Sequence, residues 1–214
     1  IHVKLVKAAA TGRCEVSFQT EDDDQHPQAP GHVRLAVRGY WTVVPVDAGK
    51  LDIALLKFCY IDIDESTDVD KLFEYYRYVI DDLKLRHPDI TFIHVTAPLR
   101  SVDRGPGVWA REMLGRPNRA KLANVSRNEF NRRLKERYPA DPIYDLAAVM
   151  STYPDGRRES FKMDGNSYDS LVPAYTDDGG HLNAVGRTHA AAEFVRSIAN
   201  ALPASDTTGV ATAP

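Results

Sequence analysis

Asp178 stands three residues before His181 in the segment Tyr175-Thr-Asp-Asp-Gly-Gly-His-Leu-Asn183, with two glycines between them. A carboxylate in that position can accept the imidazole Nδ1–H and fix the ring's tautomer. Nε2 is then left to take a proton from a nucleophile. Asp177 is a second candidate for the orienting carboxylate, but the i, i+3 spacing favours Asp178, and Asp177 reads as a surface residue. No nucleophile motif accompanies the pair in the 214 residues.

Other side chains could do chemistry, and each has a plainer reading. Lys57 lies in an apolar run, where an unpaired charge is costly to bury. It reads as an oxyanion donor, a partner of Asp62, or a lysine whose stem snorkels from the strand end. The oxygens of Asp62, Asp64, Ser66 and Asp68 alternate as at the start of a calcium loop. An EF-hand, however, needs Gly where Thr67 stands and Glu where Phe73 stands, so an acid-rich helix start is expected and no metal. His94, between Ile93 and Val95, reads as a satisfied core histidine. Asn124, Arg127, Asn128 and Asn131 share one helical face, which could border a site or bind sugar hydroxyls but reads more simply as a solvated face. Arg100, Arg104 and Arg111 could meet an acidic substrate.

The elements that must position these groups become clear from Leu51 onward. Leu51–Tyr60 and Asp89–Thr96 are near-continuous apolar runs, as in parallel strands covered on both faces, although a short buried helix would give the first run the same pattern. Between them a helix is expected, capped by Ser66 or Thr67 with Asp68 and Asp70 in its first turn. Its apolar face is Leu72, Tyr75, Tyr76, Val79, Ile80 and Leu83, and Pro88 closes it. Pro98 to Pro117 reads as a loop, Arg119 to Tyr138 as a helix and Ile143–Leu146 as a short strand. Ser151 to Thr176 reads as a long polar connection of the kind that carries function or covers a site. Ala184–Leu202 reads as the last helix. Before Leu51, only Val33–Val37 and Trp41–Val46 suggest strands, and Glu21 to Gly31 reads as an acidic loop. Alternating strands and helices imply a parallel sheet whose sites form at the carboxyl ends of the strands. Tyr60–Asp64, Thr96–Arg100 and Asp178–His181 would meet there.

Composition sets the outer limits. The net charge of −3 points to neither nucleic acid nor an anionic membrane as partner. No apolar run reaches the roughly 18 residues needed to span a bilayer. Cys14 and Cys59 show no metal spacing, and Cys59 reads as a buried thiol rather than half of a disulfide. The chain begins at Ile1 without a signal-peptide pattern, which reads as a processed chain or a fragment.

Over roughly residues 51–202 the sequence resembles the SGNH/GDSL hydrolase superfamily. The block Asp178-Gly-Gly-His181-Leu-Asn183 before the final helix is the most specific part. Asp52-Ile-Ala-Leu-Leu-Lys57 and Thr91-Phe-Ile-His-Val-Thr-Ala-Pro98 are similar to two of that family's central strands. The resemblance implies a flavodoxin-like, three-layer α/β/α domain over residues 51–203, after a poorly defined segment 1–50 and before a disordered tail 204–214. It also implies a serine hydrolase acting on carboxylic esters, with carbohydrate O-acyl groups as candidate substrates. His181 would be the base and Asp178 its orienting partner, without a metal or organic cofactor. Two departures qualify it. The Gly-Asp-Ser-type block that supplies the nucleophile is absent, and Ser17, in Glu15-Val-Ser-Phe18, has no flanking glycine and does not take the role. Phe58-Cys-Tyr-Ile-Asp62 stands where the family has Gly-x-Asn-Asp, so Lys57 or Tyr60 becomes the candidate oxyanion donor. The expectation is a domain truncated at its amino end, with a catalytically silent glycan- or protein-binding relative and a polysaccharide O-acyltransferase as rival readings.

Overall fold

A computed structural model describes residues 52–115 and 118–201, together with the backbone of four strands that precede them. Those strands form two antiparallel pairs, β1 (His2–Val3) with β2 (Phe18–Gln19) and β3 (His32–Val37) with β4 (Tyr40–Pro45). The second pair matches the two early strands expected from sequence. The acidic segment from Glu21 to Gly31, Cys14, Ser17 and the tail 204–214 lie outside the described residues.

The organising element is a parallel sheet in the order β5 (Ile53–Leu56), β6 (Thr91–Val95), β7 (Ile143–Tyr144). Helix α1 (Val69–Arg86) connects the first two strands; α2 (Pro106–Met113) and α3 (Arg119–Arg137) lie between the second and third. After β7 come α4 (Leu146–Ser151), the hairpin β8 (Ser160–Met163) and β9 (Asn166–Asp169), and α5 (Ala184–Ala201). The result is a mixed α/β architecture. Among the described residues no helix is long and apolar enough to cross a membrane.

Several local expectations change. The cap of α1 is Asp68, whose side chain accepts from the Lys71 amide, while Ser66 and Thr67 are held in the preceding turn by the Asp64 carboxylate. Phe73 joins Tyr76, Ile80 and Leu83 on the buried face of α1, and Tyr75 is exposed. The segment Pro98–Pro117, expected as loop, contains α2, which starts at Pro106 because proline's fixed φ suits a first helical turn that has no intrahelical use for its N–H. Cys59 is a free thiol, but only half-buried.

Strand β6 divides the core by alternation. Ile93 and Val95 face Tyr144, Ala190, Phe194 and Ile198, which belong to β7 and α5. His94 points to the other side, where Phe73, Tyr76 and Ile80 of α1 meet Phe130 and Leu134 of α3. His94 is 1% exposed. Its Nδ1 lies 2.7 Å from the Tyr76 hydroxyl, its Nε2 lies 3.1 Å from Asp141 Oδ2, and its ring stacks on Tyr138 at 4.0 Å. Lys84 closes the cluster by pairing with Asp141. The satisfied core histidine expected from sequence is what this is.

Burial lowers the His94 pKa, although Asp141 opposes the shift. As pH falls, the unfolded chain therefore takes up this proton before the folded one does. The stability from His94 is complete above about pH 6.5 and is lost as pH drops from there toward the lower folded-state value. Asp141, itself held below its usual value with Lys84 and His94 as partners, adds a loss only at lower pH, where carboxylates titrate. Thermal unfolding between pH 7.5 and 5 should show a falling Tm whose slope is shallower in His94→Gln. Equal slopes in the two proteins would remove His94 from the account.

Candidate active site

The Asp178–His181 turn is built by glycines. Gly179 has φ of +82°, and a Cβ placed on it would come within 2.9 Å of Ser101 Oγ. A Cβ on Gly180 would come within 2.9 Å of the Tyr60 ring. The turn is therefore pressed against two loops at once, one following β5 and one following β6. The Gly179 carbonyl accepts from the Ser101 amide at 2.9 Å, which ties it to the second. Gly179→Ala is expected to cost about 1–2 kcal/mol from the left-handed backbone alone. Thermal unfolding measures this, and an unchanged Tm would contradict the turn geometry.

Within the turn, Asp178 Oδ1 accepts from the Gly180 and His181 amides, each at 2.8 Å. Its Oδ2 lies 2.5 Å from His181 Nδ1. The bond from His181 and the two amide bonds hold the Asp178 carboxyl well below the usual carboxylate range. An anionic Asp178 requires the proton on Nδ1, so Nε2 is the acceptor of a neutral imidazole. Nε2 has no hydrogen-bond partner among the described residues, and the His181 side chain is 67% exposed. Asp177 is at the surface, where among the described residues it accepts from Asn183 at 3.3 Å.

Tyr60 meets His181 edge to face, with ring centroids 5.1 Å apart. Arg100 lies over the other part of this group, its guanidinium 5.2 Å from the Tyr60 ring centre. The three segments that sequence reasoning brought to the carboxyl end of the sheet thus meet. Lys57 sits one residue beyond β5, half-buried, and burial lowers its pKa against the opposing influence of Cys59 and Asp62.

Sequence reasoning misjudged the polar face of α3. Asn124, Arg127 and Asn131 are 0%, 2% and 3% exposed, and they face protein rather than water. Asn131 accepts from the Ala97 amide at 2.6 Å and donates to the Ala97 carbonyl at 3.0 Å. Asn124 does the same for Arg100, at 3.0 and 2.7 Å. Asn128 repeats it for Asp169, at 3.1 and 3.0 Å. Arg127 donates to the Tyr60 carbonyl through Nε at 3.1 Å and Nη2 at 2.6 Å, and to Asn124 Oδ1 at 2.8 Å. A primary amide has one donor side and one acceptor side, so it pairs with a peptide unit as a neighbouring strand would. With their amides so engaged, Asn124 and Asn131 are not free for sugar hydroxyls. Their role is to hold the loops that carry Tyr60 and Arg100, which in turn abut His181.

No protein-family model and no curated protein matches the sequence. Solved structures do resemble it. A provisionally named platelet activating factor from Streptococcus pneumonia aligns with a TM-score of 0.46 and 16% identity over 69% of this chain and 60% of its own. A GDSL-like lipase from Bacteroides thetaiotaomicron aligns with a TM-score of 0.42 and 19% identity, covering 64% of this chain and 55% of that one. A provisionally named acylhydrolase from Bacteroides fragilis gives a TM-score of 0.41 at the same identity and coverage. This chain therefore spans little more than half the length of those proteins.

Proposed function

We propose that the chain is the part of an SGNH/GDSL-type carboxylic ester hydrolase that carries the catalytic base, in a flavodoxin-like α/β/α domain. One observation carries the reading: an Asp178–His181 pair bonded at 2.5 Å through Nδ1, with Nε2 left open beside the carboxyl ends of parallel strands. That arrangement suits general-base catalysis, because the carboxylate fixes the tautomer and stabilises the imidazolium that forms.

In this reading the attacking serine lies outside the described residues. Its Oγ–H proton passes to His181 Nε2 as Oγ bonds to the acyl carbon. The ammonium of Lys57 or the hydroxyl of Tyr60 donates to the oxyanion that develops. His181 then gives the proton to the leaving alkoxide, and water repeats the sequence to release the acid. An acyl group on a carbohydrate is the proposed substrate.

A fluorophosphonate probe tests this directly. It should label one serine of the intact protein, found by mass spectrometry, and the labelling should disappear in His181→Ala. A serine labelled equally in both proteins would remove His181 as the base, and no labelling together with no turnover of simple acetyl esters would leave a binding protein as the better description.

A further inference from the structure

Resting on that reading, we propose that Arg100 is a specificity-determining residue that binds a carboxylate carried by the ester substrate.

The first support is its placement. Asn124 grips both the amide and the carbonyl of Arg100, so the side chain leaves from a fixed point. The guanidinium lies over Tyr60, whose ring meets His181, and its Nη2 comes within 3.9 Å of where a Cβ on Gly179 would sit. Arg100 and the imidazole thus flank one aromatic ring at the same mouth.

The second support is charge. Arg104, Arg119 and Arg158 are matched by carboxylates, those of Glu159, Glu65 and Asp169, whereas Arg187, just after the His181 turn, bonds to the Leu182 carbonyl. Arg100 has no carboxylate within salt-bridge distance among the described residues. Its one polar contact is Nε to the Gly179 carbonyl at 3.5 Å, the far limit of a hydrogen bond. Behind it Arg127 is buried and bonded to neutral oxygens, with no carboxylate within salt-bridge distance among the described residues. Burial, and after it the charge of Arg100, brings the Arg127 pKa down to about 10. Asp64 and Glu65 oppose that shift in Arg127, so the guanidinium at the mouth of the site that lacks a matching carboxylate among the described residues is that of Arg100.

The third support is geometry. A guanidinium lying over an aromatic ring still has N–H groups to offer, and their fork matches the two oxygens of a carboxylate. A neutral ester would leave it unused. Arg104, held by Glu159, and Arg111, bonded to the Gly107 carbonyl, are not placed to compete for the role.

The test needs no turnover. Ring-proton NMR shifts of His181 and Tyr60 in the whole chain are followed during titration with monomethyl succinate and with methyl butyrate, its neutral counterpart. The anionic ester should reach half-saturation at a concentration at least about tenfold lower. Arg100→Gln should bring the two ligands within about twofold, and Arg100→Lys should restore part of the difference. Equal half-saturation in the unmodified chain, or a preference that survives in Arg100→Gln, overturns the assignment. A preference that depends on Arg100 in a protein that the phosphonate never labels would sustain the carboxylate site and sink the hydrolase reading.

Discussion

His181→Ala is expected to lower kcat for hydrolysis of a simple acetyl ester by about 10⁴-fold in the intact protein, leaving KM nearly unchanged. The reason lies in the geometry. Among the described residues only His181 is backed by a carboxylate while presenting an unbonded ring nitrogen at this end of the sheet. Asp178→Asn should cost roughly 10²–10⁴-fold. The amide can still accept from the Gly180 and His181 amides, but it cannot hold the imidazole as an anion does. Asp178 sits well below the usual carboxylate range, so it stays ionised throughout the working pH range. No limb of the pH–rate profile should then belong to it. Steady-state kinetics of both variants decide the matter; a His181→Ala protein within about tenfold of the parent would exclude the base role.

The second large effect is on stability and comes from α3. Asn124→Ala is expected to destabilise the fold by roughly 3–5 kcal/mol. Two groups lose their partner together, the Arg100 amide and a guanidinium N–H of buried Arg127, and the Arg100 carbonyl is left with the Leu171 amide alone. Leaving a buried donor or acceptor unsatisfied costs about 1–3 kcal/mol, more when it is charged. Arg132→Ala on the exposed side of the same helix loses ion pairs to Glu129 and Glu136 but should hardly move the transition, because water replaces them. Urea unfolding of the two variants makes the comparison, and similar midpoints would contradict it. Because Asn124 also fixes Arg100 and Arg127, its loss should reach Tyr60 and the mouth of the site.

What sequence revealed and what it concealed follow the range of the interactions. Asp178 and His181 are three residues apart, and the glycines that shape their turn lie between them, so the pair was legible without a fold. The strands β5 and β6 were legible as apolar runs, although only four residues of the first are strand. The hairpin β8–β9 was also within reach: Asp164-Gly165 is a two-residue turn with both φ angles positive, at +50° and +79°. Reading 151–176 only as polar connection overlooked it. The α3 stripe is different in kind. Nothing local separates an asparagine that faces water from one that pairs with a distant peptide unit, because the partner is 34 residues away for Asn131 and 41 for Asn128. The same holds for Arg100, whose neighbours Tyr60 and Gly179 come from opposite ends of the domain.

The stripe also works as a ruler. Asn131 and Asn124 are seven residues apart along α3, about 10 Å of helix. Their partners Ala97 and Arg100 are three residues apart, and an extended chain covers about 10 Å in three steps. Pro98 keeps that stretch extended. The two lengths agree only for this number of residues. One residue added or removed between Ala97 and Arg100 would leave one of the asparagines opposite the wrong peptide unit. The tip of the β8–β9 hairpin answers to no such measure. Descendants of this sequence can lengthen that tip freely, whereas the strip along α3 must be inherited at its present length.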